Sequence, residues 1–204
     1  MGMGFRRLAE MGLDRRVVPA LAALLFVAAC ATPPEAPETP QLSYERPPLP
    51  LDVAALSIEQ TYVPPLEAPY VEHLAPLSPA EAARDWAKQR LQATGEAGAA
   101  TLTITDAVIE EVPLDTKGGL EGMVVTEPVA KYRARLETRL EVERPDGTGE
   151  IEVFAERVAG MPEGATLNER SQIWYDLVAA MMRDFDQTFE ATAQQRLDRF
   201  VVYD

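Results

Sequence analysis

The sequence predicts an α+β domain with two helices packed on one face of a four-stranded, mainly antiparallel sheet, in the order βαβββα. Three observations carry this. From Lys131 to Arg144 the chain alternates strictly, with Tyr132, Ala134, Leu136, Leu140 and Val142 on one side and Arg133, Arg135, Glu137, Arg139 and Glu141 on the other. That period of two marks a strand with one dry and one wet face. A turn signal, Pro145-Asp146-Gly147-Thr148-Gly149, joins it to a second alternating run. Two capping boxes, Ser78 with Glu81 and Thr166 with Glu169, each open a stretch whose apolar residues recur at helical spacing.

Taken in order, the folded part is expected to begin near Leu51. Ala55 to Val63 reads as a strand with Leu56, Ile58 and Tyr62 on one face, ended by Pro64-Pro65. An irregular apolar loop, Glu67 to Leu74, follows. The first helix starts after Ser78 with Pro79 at its first position, shows Ala83, Trp86, Ala87 and Leu91 on one face, and is expected to end at Gly95. Ala100 to Val112 is the next strand. Its phase slips at Asp106, where a bulge would let Ala107 and Ile109 take over the inner face. After the Lys131–Arg144 strand, Glu150 to Val158 returns as its partner with Ile151, Val153 and Ala155 inward. Ile173, Trp174, Leu177, Val178, Met181, Phe185, Phe189 and Leu197 then mark a helix of some 30 residues. At 1.5 Å per residue it would span about 45 Å, so its far end is expected to project past the sheet.

Residues 1–29 read as an export signal. Arg15-Arg16 is a basic n-region, and Val17 to Val27 is an apolar h-region of about 11 residues, within the signal-peptide range and short of the roughly 20 a membrane span requires. Met11 is an alternative start that keeps all of these parts. Arg15-Arg16-Val17-Val18 lacks the flanks of a twin-arginine signal, which favours the general secretory route. Val27-Ala28-Ala29-Cys30 resembles a bacterial lipobox. The resemblance implies cleavage before Cys30, diacylglycerol on its thiol and acylation of its new amine. Ala31, rather than Asp, after the cysteine implies sorting to the outer membrane, on its periplasmic face. Residues 30–50 contain seven prolines from Pro33 to Pro50. They read as the lipidated cysteine and a polyproline-like disordered tether, which at about 3.1 Å per residue would hold the domain some 60 Å from the bilayer. Residues 51–204 would then be a single periplasmic domain. Its element order loosely resembles small periplasmic lipoproteins, such as the lipopolysaccharide-assembly lipoprotein and the auxiliary lipoproteins of ABC-type transport systems, although no diagnostic motif matches.

Cys30 is the only cysteine, so the domain is expected to rest on packing rather than disulfides. The whole chain has 19 Lys+Arg against 33 Asp+Glu; losing four arginines and two acids with the signal leaves 15 against 31, a net charge of −16. Such a surface repels nucleic acid and anionic lipid, so the membrane is reached through the anchor alone.

No catalytic or metal constellation emerges, and no cofactor is expected. His73 is the sole histidine and sits in a loop. Asp184, Asp186 and Glu190 cluster on the last helix and read as a solvated acidic face. Gly118-Gly119-Leu120-Glu121-Gly122 does not open a helix as a dinucleotide fingerprint must. Two features suggest a partner or ligand surface. One is the glycine-rich apolar stretch with Leu120, Met123 and Val124, which could equally fold back on the core. The other is Trp174 with Met182 on the long helix, where ordinary core packing is the competing account. The expected function is a non-enzymatic binding or assembly factor of the cell envelope with an envelope protein as partner. The alternative is a lipid- or small-ligand-binding auxiliary of a transport system, which needs a pocket between helices and sheet. A hydrolytic enzyme is a remote third reading, and would need a cleft gathering His73 with carboxylates.

Overall fold

A computed structural model describes residues 40–112 and 128–202, with the backbone alone at 128–129. The strands are β1 (Leu49–Leu51), β2 (Ala55–Gln60), β3 (Leu91–Ala93), β4 (Ala99–Val112), β5 (Pro128–Arg144) and β6 (Gly147–Pro162). The helices are α1 (Pro79–Arg90) and α2 (Leu167–Arg196), with 3₁₀ turns at Glu72–Leu74 and Asp198–Phe200. The main sheet runs β2-β4-β5-β6. β2 lies parallel to β4, as the crossover through α1 requires, and the other pairs are antiparallel. The α+β class, the two helices and the four-stranded sheet are those the sequence predicts.

The local reasons hold as well. Ser78 and Thr166 each accept from the backbone N–H three residues on, and Glu81 and Glu169 reach back to the cap N–H groups, so both capping boxes form. The β4–β5 register shifts between Ile104 and Asp106, and the Thr105 hydroxyl donates to the Glu137 carbonyl at 3.1 Å. The bulge restores the inward phase, so Ala107 and Ile109 are buried. The inner face of the sheet, including Leu102, Ile104, Leu136, Leu140, Ile151 and Val153, is buried with α1 and α2 in one core. Each large apolar side chain so covered contributes roughly 1.5–3 kcal/mol. Trp86 meets Phe185 and Phe189 edge-on, with ring centroids 4.8 and 4.6 Å apart.

Three expectations are corrected. α1 stops at Arg90 rather than running to Gly95. Leu91 is already extended (φ −110°, ψ 132°) because it pairs, buried, with Leu49 in a parallel two-stranded sheet of β1 and β3. Gly95 instead serves a close approach. Its N–H donates to the Val53 carbonyl at 3.0 Å, and a Cβ there would stand 2.6 Å from the Asp52 carbonyl carbon and 2.7 Å from the Val53 nitrogen.

Second, residues 40–50 are not free tether. Leu42 and Tyr44 pack against the core, the Leu42 carbonyl accepts from Gln89 Nε2 at 2.9 Å, and Leu49 and Leu51 are buried in β1. The prolines permit this because Pro50 lacks only a donor, and its carbonyl still accepts from the Val202 N–H at 2.9 Å.

Third, the far end of α2 does not project. Ala193, Leu197 and Phe200 are buried, and Val201 forms an antiparallel bridge with Leu51. Phe200 lies over Gly149, where a Cβ would come within 2.6 Å of its ring.

Candidate functional site

Polar groups gather at three places. The first is buried between α1, α2 and the 40–48 segment. Trp86 and Arg90 lie one helical turn apart on α1, so both reach the same point of α2. Trp86 Nε1 donates to Asp186 Oδ1 at 2.8 Å, and Arg90 Nε donates to the same oxygen at 2.7 Å. Arg90 Nη2 donates to Glu190 Oε2 at 2.7 Å, and Arg46 Nη1 reaches that oxygen at 3.1 Å. Arg90 and Asp186 are buried, and Arg46 is half-exposed. Tyr44 is wedged alongside; burial, and then the negative charge of Asp186, push its hydroxyl pKa up. This corrects the reading of Asp186 and Glu190 as part of a solvated face, whereas Asp184 does lie at the surface. Asp186 and Glu190 lie inward toward Arg90, and Asp184 pairs with Arg157 of β6. The cluster ties both helices and the incoming chain together, and every carboxylate in it is engaged.

The second place is a cleft of 290 Å³ lined by Pro64, Glu72, His73, Ala75, Pro76, Ser78 and Glu81. It brings His73 beside two carboxylates, the gathering a hydrolytic reading requires. Both acids are committed elsewhere. Glu72 is buried, accepting from the Tyr62 hydroxyl at 2.7 Å and the Ile109 N–H at 3.3 Å. These bonds pin the loop after β2 onto the edge of β4; burial, and then the hydrogen bond to Glu72, push the Tyr62 pKa up. Glu81 closes the cap of α1. Among the described residues no group of three or more His, Cys, Asp or Glu is placed to hold a metal ion. An open groove of 360 Å³ lies nearby, lined by Pro40, Pro76, Asn168, Ser171, Gln172 and Tyr175.

The third place is the wet face of the sheet at β6. Arg139 is shared by Glu150 and Glu152, at 3.4 and 2.6 Å, and Arg133 by Glu110 and Glu156, at 3.8 and 3.7 Å. Phe154 and Val158 stand among these acids, 51% and 53% exposed.

Of the residues singled out from the sequence, Cys30, Leu120, Met123 and Val124 lie outside the described residues. Trp174 and Met182 are corrected: both are core. Trp174 is 4% exposed and meets Tyr132 edge-on at 5.5 Å, while Met182 is fully buried with Met181. With Trp86, Trp174, Met181 and Met182 all packed, the layer between helices and sheet is filled where the ligand-binding alternative needs a pocket. No helix among the described residues is long and apolar enough to cross a membrane.

No protein-family model matches the chain, and no curated protein does. Among solved structures it is similar to the rare lipoprotein B from Shewanella oneidensis, with 12% identity, a TM-score of 0.36, and coverage of 69% of this chain and 95% of that one. A likeness of that degree carries neither family nor function across.

Proposed function

We propose that this protein is a lipid-anchored lipoprotein of the outer membrane, facing the periplasm, whose domain acts as a non-enzymatic binding or assembly factor in the cell envelope. The observation that carries the reading is Val27-Ala28-Ala29-Cys30, behind a basic n-region and a short apolar h-region. Two acyl attachments suffice for stable anchoring without protein–lipid contacts. The domain supports the rest of the reading. Among the described residues the interior is packed with side chains, and the buried Arg90 and Asp186 pair with each other, which leaves the surface to act. A hydrolytic centre at His73 would need a free carboxylate, and Glu72 and Glu81 are both spent on structure.

The test is quantitative affinity capture from solubilised envelopes, comparing the wild-type chain with Cys30→Ala. A defined envelope protein enriched with the wild type, and depleted with the unanchored variant, is the expected result. Equal background with both chains contradicts the reading.

A further inference from the structure

We propose that the open edge of β6 is a docking site for an added β-strand from a protein partner. That strand's outward residues would be basic opposite Glu150, Glu152 and Glu156 and bulky and apolar opposite Phe154 and Val158. The inference deepens the reading of the domain as a partner-binding factor and rests on it.

β6 is the outer strand of the main sheet, and among the described residues nothing pairs with its far edge. It runs 16 residues, and its only proline is the last, Pro162. A long edge strand offers a row of unpaired N–H and C=O groups to any extended chain. The side chains that would flank the newcomer on the wet face are Glu150, Glu152, Phe154, Glu156 and Val158. Arg133 and Arg139 of β5 face the three glutamates of β6, and Arg133 is shared with Glu110 of β4, so the strip keeps an excess of negative charge. Phe154 and Val158 break that acidic column with apolar area left facing water.

Charge selects the occupant. In a two-fold antiparallel pairing of β6 with a second copy, the register that stacks Phe154 on Phe154 sets Glu152 against Glu156. The register that stacks Phe154 on Val158 sets Glu156 against itself. Like charges directly opposite one another destabilise a pair. The same column attracts a strand carrying Lys or Arg at alternate positions, and the net charge of −14 on the chain steers such a partner inward. Acidic spacing thus disfavours the self-pairings that would cover Phe154 and Val158 with each other, and favours a basic, amphipathic strand.

The probe is an amidated peptide, Ile-Thr-Lys-Thr-Ile-Thr-Lys-Thr-Lys, which in antiparallel register places lysine opposite each of the three glutamates and isoleucine opposite Phe154 and Val158. It is titrated against the full chain in detergent, with a scrambled peptide of the same composition as control. Hydrogen exchange locates the contact. The expected result is slowed exchange confined to β6, and binding roughly tenfold weaker for Phe154→Ser and for Glu152→Lys/Glu156→Lys. These positions are exposed, and melting curves check that the variants stay folded. Equal binding of the scrambled peptide, protection away from β6, or no binding overturns the proposal. If the peptide fails while envelope capture persists, the edge is wrong and the partner-binding reading stands. If both fail, both fall.

Discussion

Arg90 occupies the position on α1 where the apolar face of Ala83, Trp86 and Ala87 would continue, and Asp186 and Glu190 interrupt the apolar stripe of α2 in the same way. Opposite charges falling on two apolar stripes are a signal that the helices face each other there, and it was readable. The acidity of the chain masks that signal, because any acid on its helices looks solvated. Removing one partner of a buried pair leaves the other charge uncompensated. Arg90→Ala is therefore expected to cost about 3–5 kcal/mol, whereas Arg46→Ala, at the half-exposed rim, should cost no more than about 1 kcal/mol. Urea denaturation midpoints of the two variants check this ordering.

Glu169 provides a pH test at the same scale. Hydrogen bonds from the Thr166 backbone and then its hydroxyl hold the Glu169 carboxyl below its ordinary value of 4.5. A depressed folded-state pKa contributes stability that is present above the unfolded value and is lost as pH falls through the folded one. The first turn of α2 should thus loosen below pH 4.5, measured as faster amide exchange at 167–170, and Glu169→Gln should flatten that acid dependence.

At the scale of elements, the sequence was most legible where the signal is local. The alternation in β5 and β6, the two capping boxes and the phase slip at the β4 bulge each depend on residues within a few positions of one another. β1 and β3 were missed for the opposite reason. Each is three residues long, too short to show a period, and they pair across 42 positions of sequence from Leu49 to Leu91. That pairing also cuts α1 short of Gly95. The return of the chain after α2 was equally non-local, since Phe200 seats against Gly149 only once the β5–β6 hairpin is in place. Gly149→Ala should push its Cβ into Leu197 and Phe200, destabilising the domain by about 1–3 kcal/mol. A melting curve of that variant, with the loss of protection expected at 197–201, checks the contact.

For the whole molecule, residues 40–50 belong to the packed domain rather than to a free tether. Among residues 40–50 the proline content excludes a helix, but it does not show that Leu42, Tyr44 and Leu49 find a core to cover, or that Pro50 enters β1 between β3 and the Val201 bridge. The lipobox-like run is local and legible, while the open edge of β6 emerges only when the strand takes its place at the side of the sheet.

The most direct test is intact-mass analysis combined with membrane fractionation of the wild-type and Cys30→Ala chains. The account predicts a mature wild-type chain that begins at acylated Cys30 and sediments with the outer membrane. It predicts a Cys30→Ala chain that is soluble or retains its signal, with unchanged melting temperature, because Cys30 precedes every residue of the packed core. A mature wild-type chain without acyl groups, or a Cys30→Ala chain that loses its signal yet still sediments with the outer membrane, would contradict it.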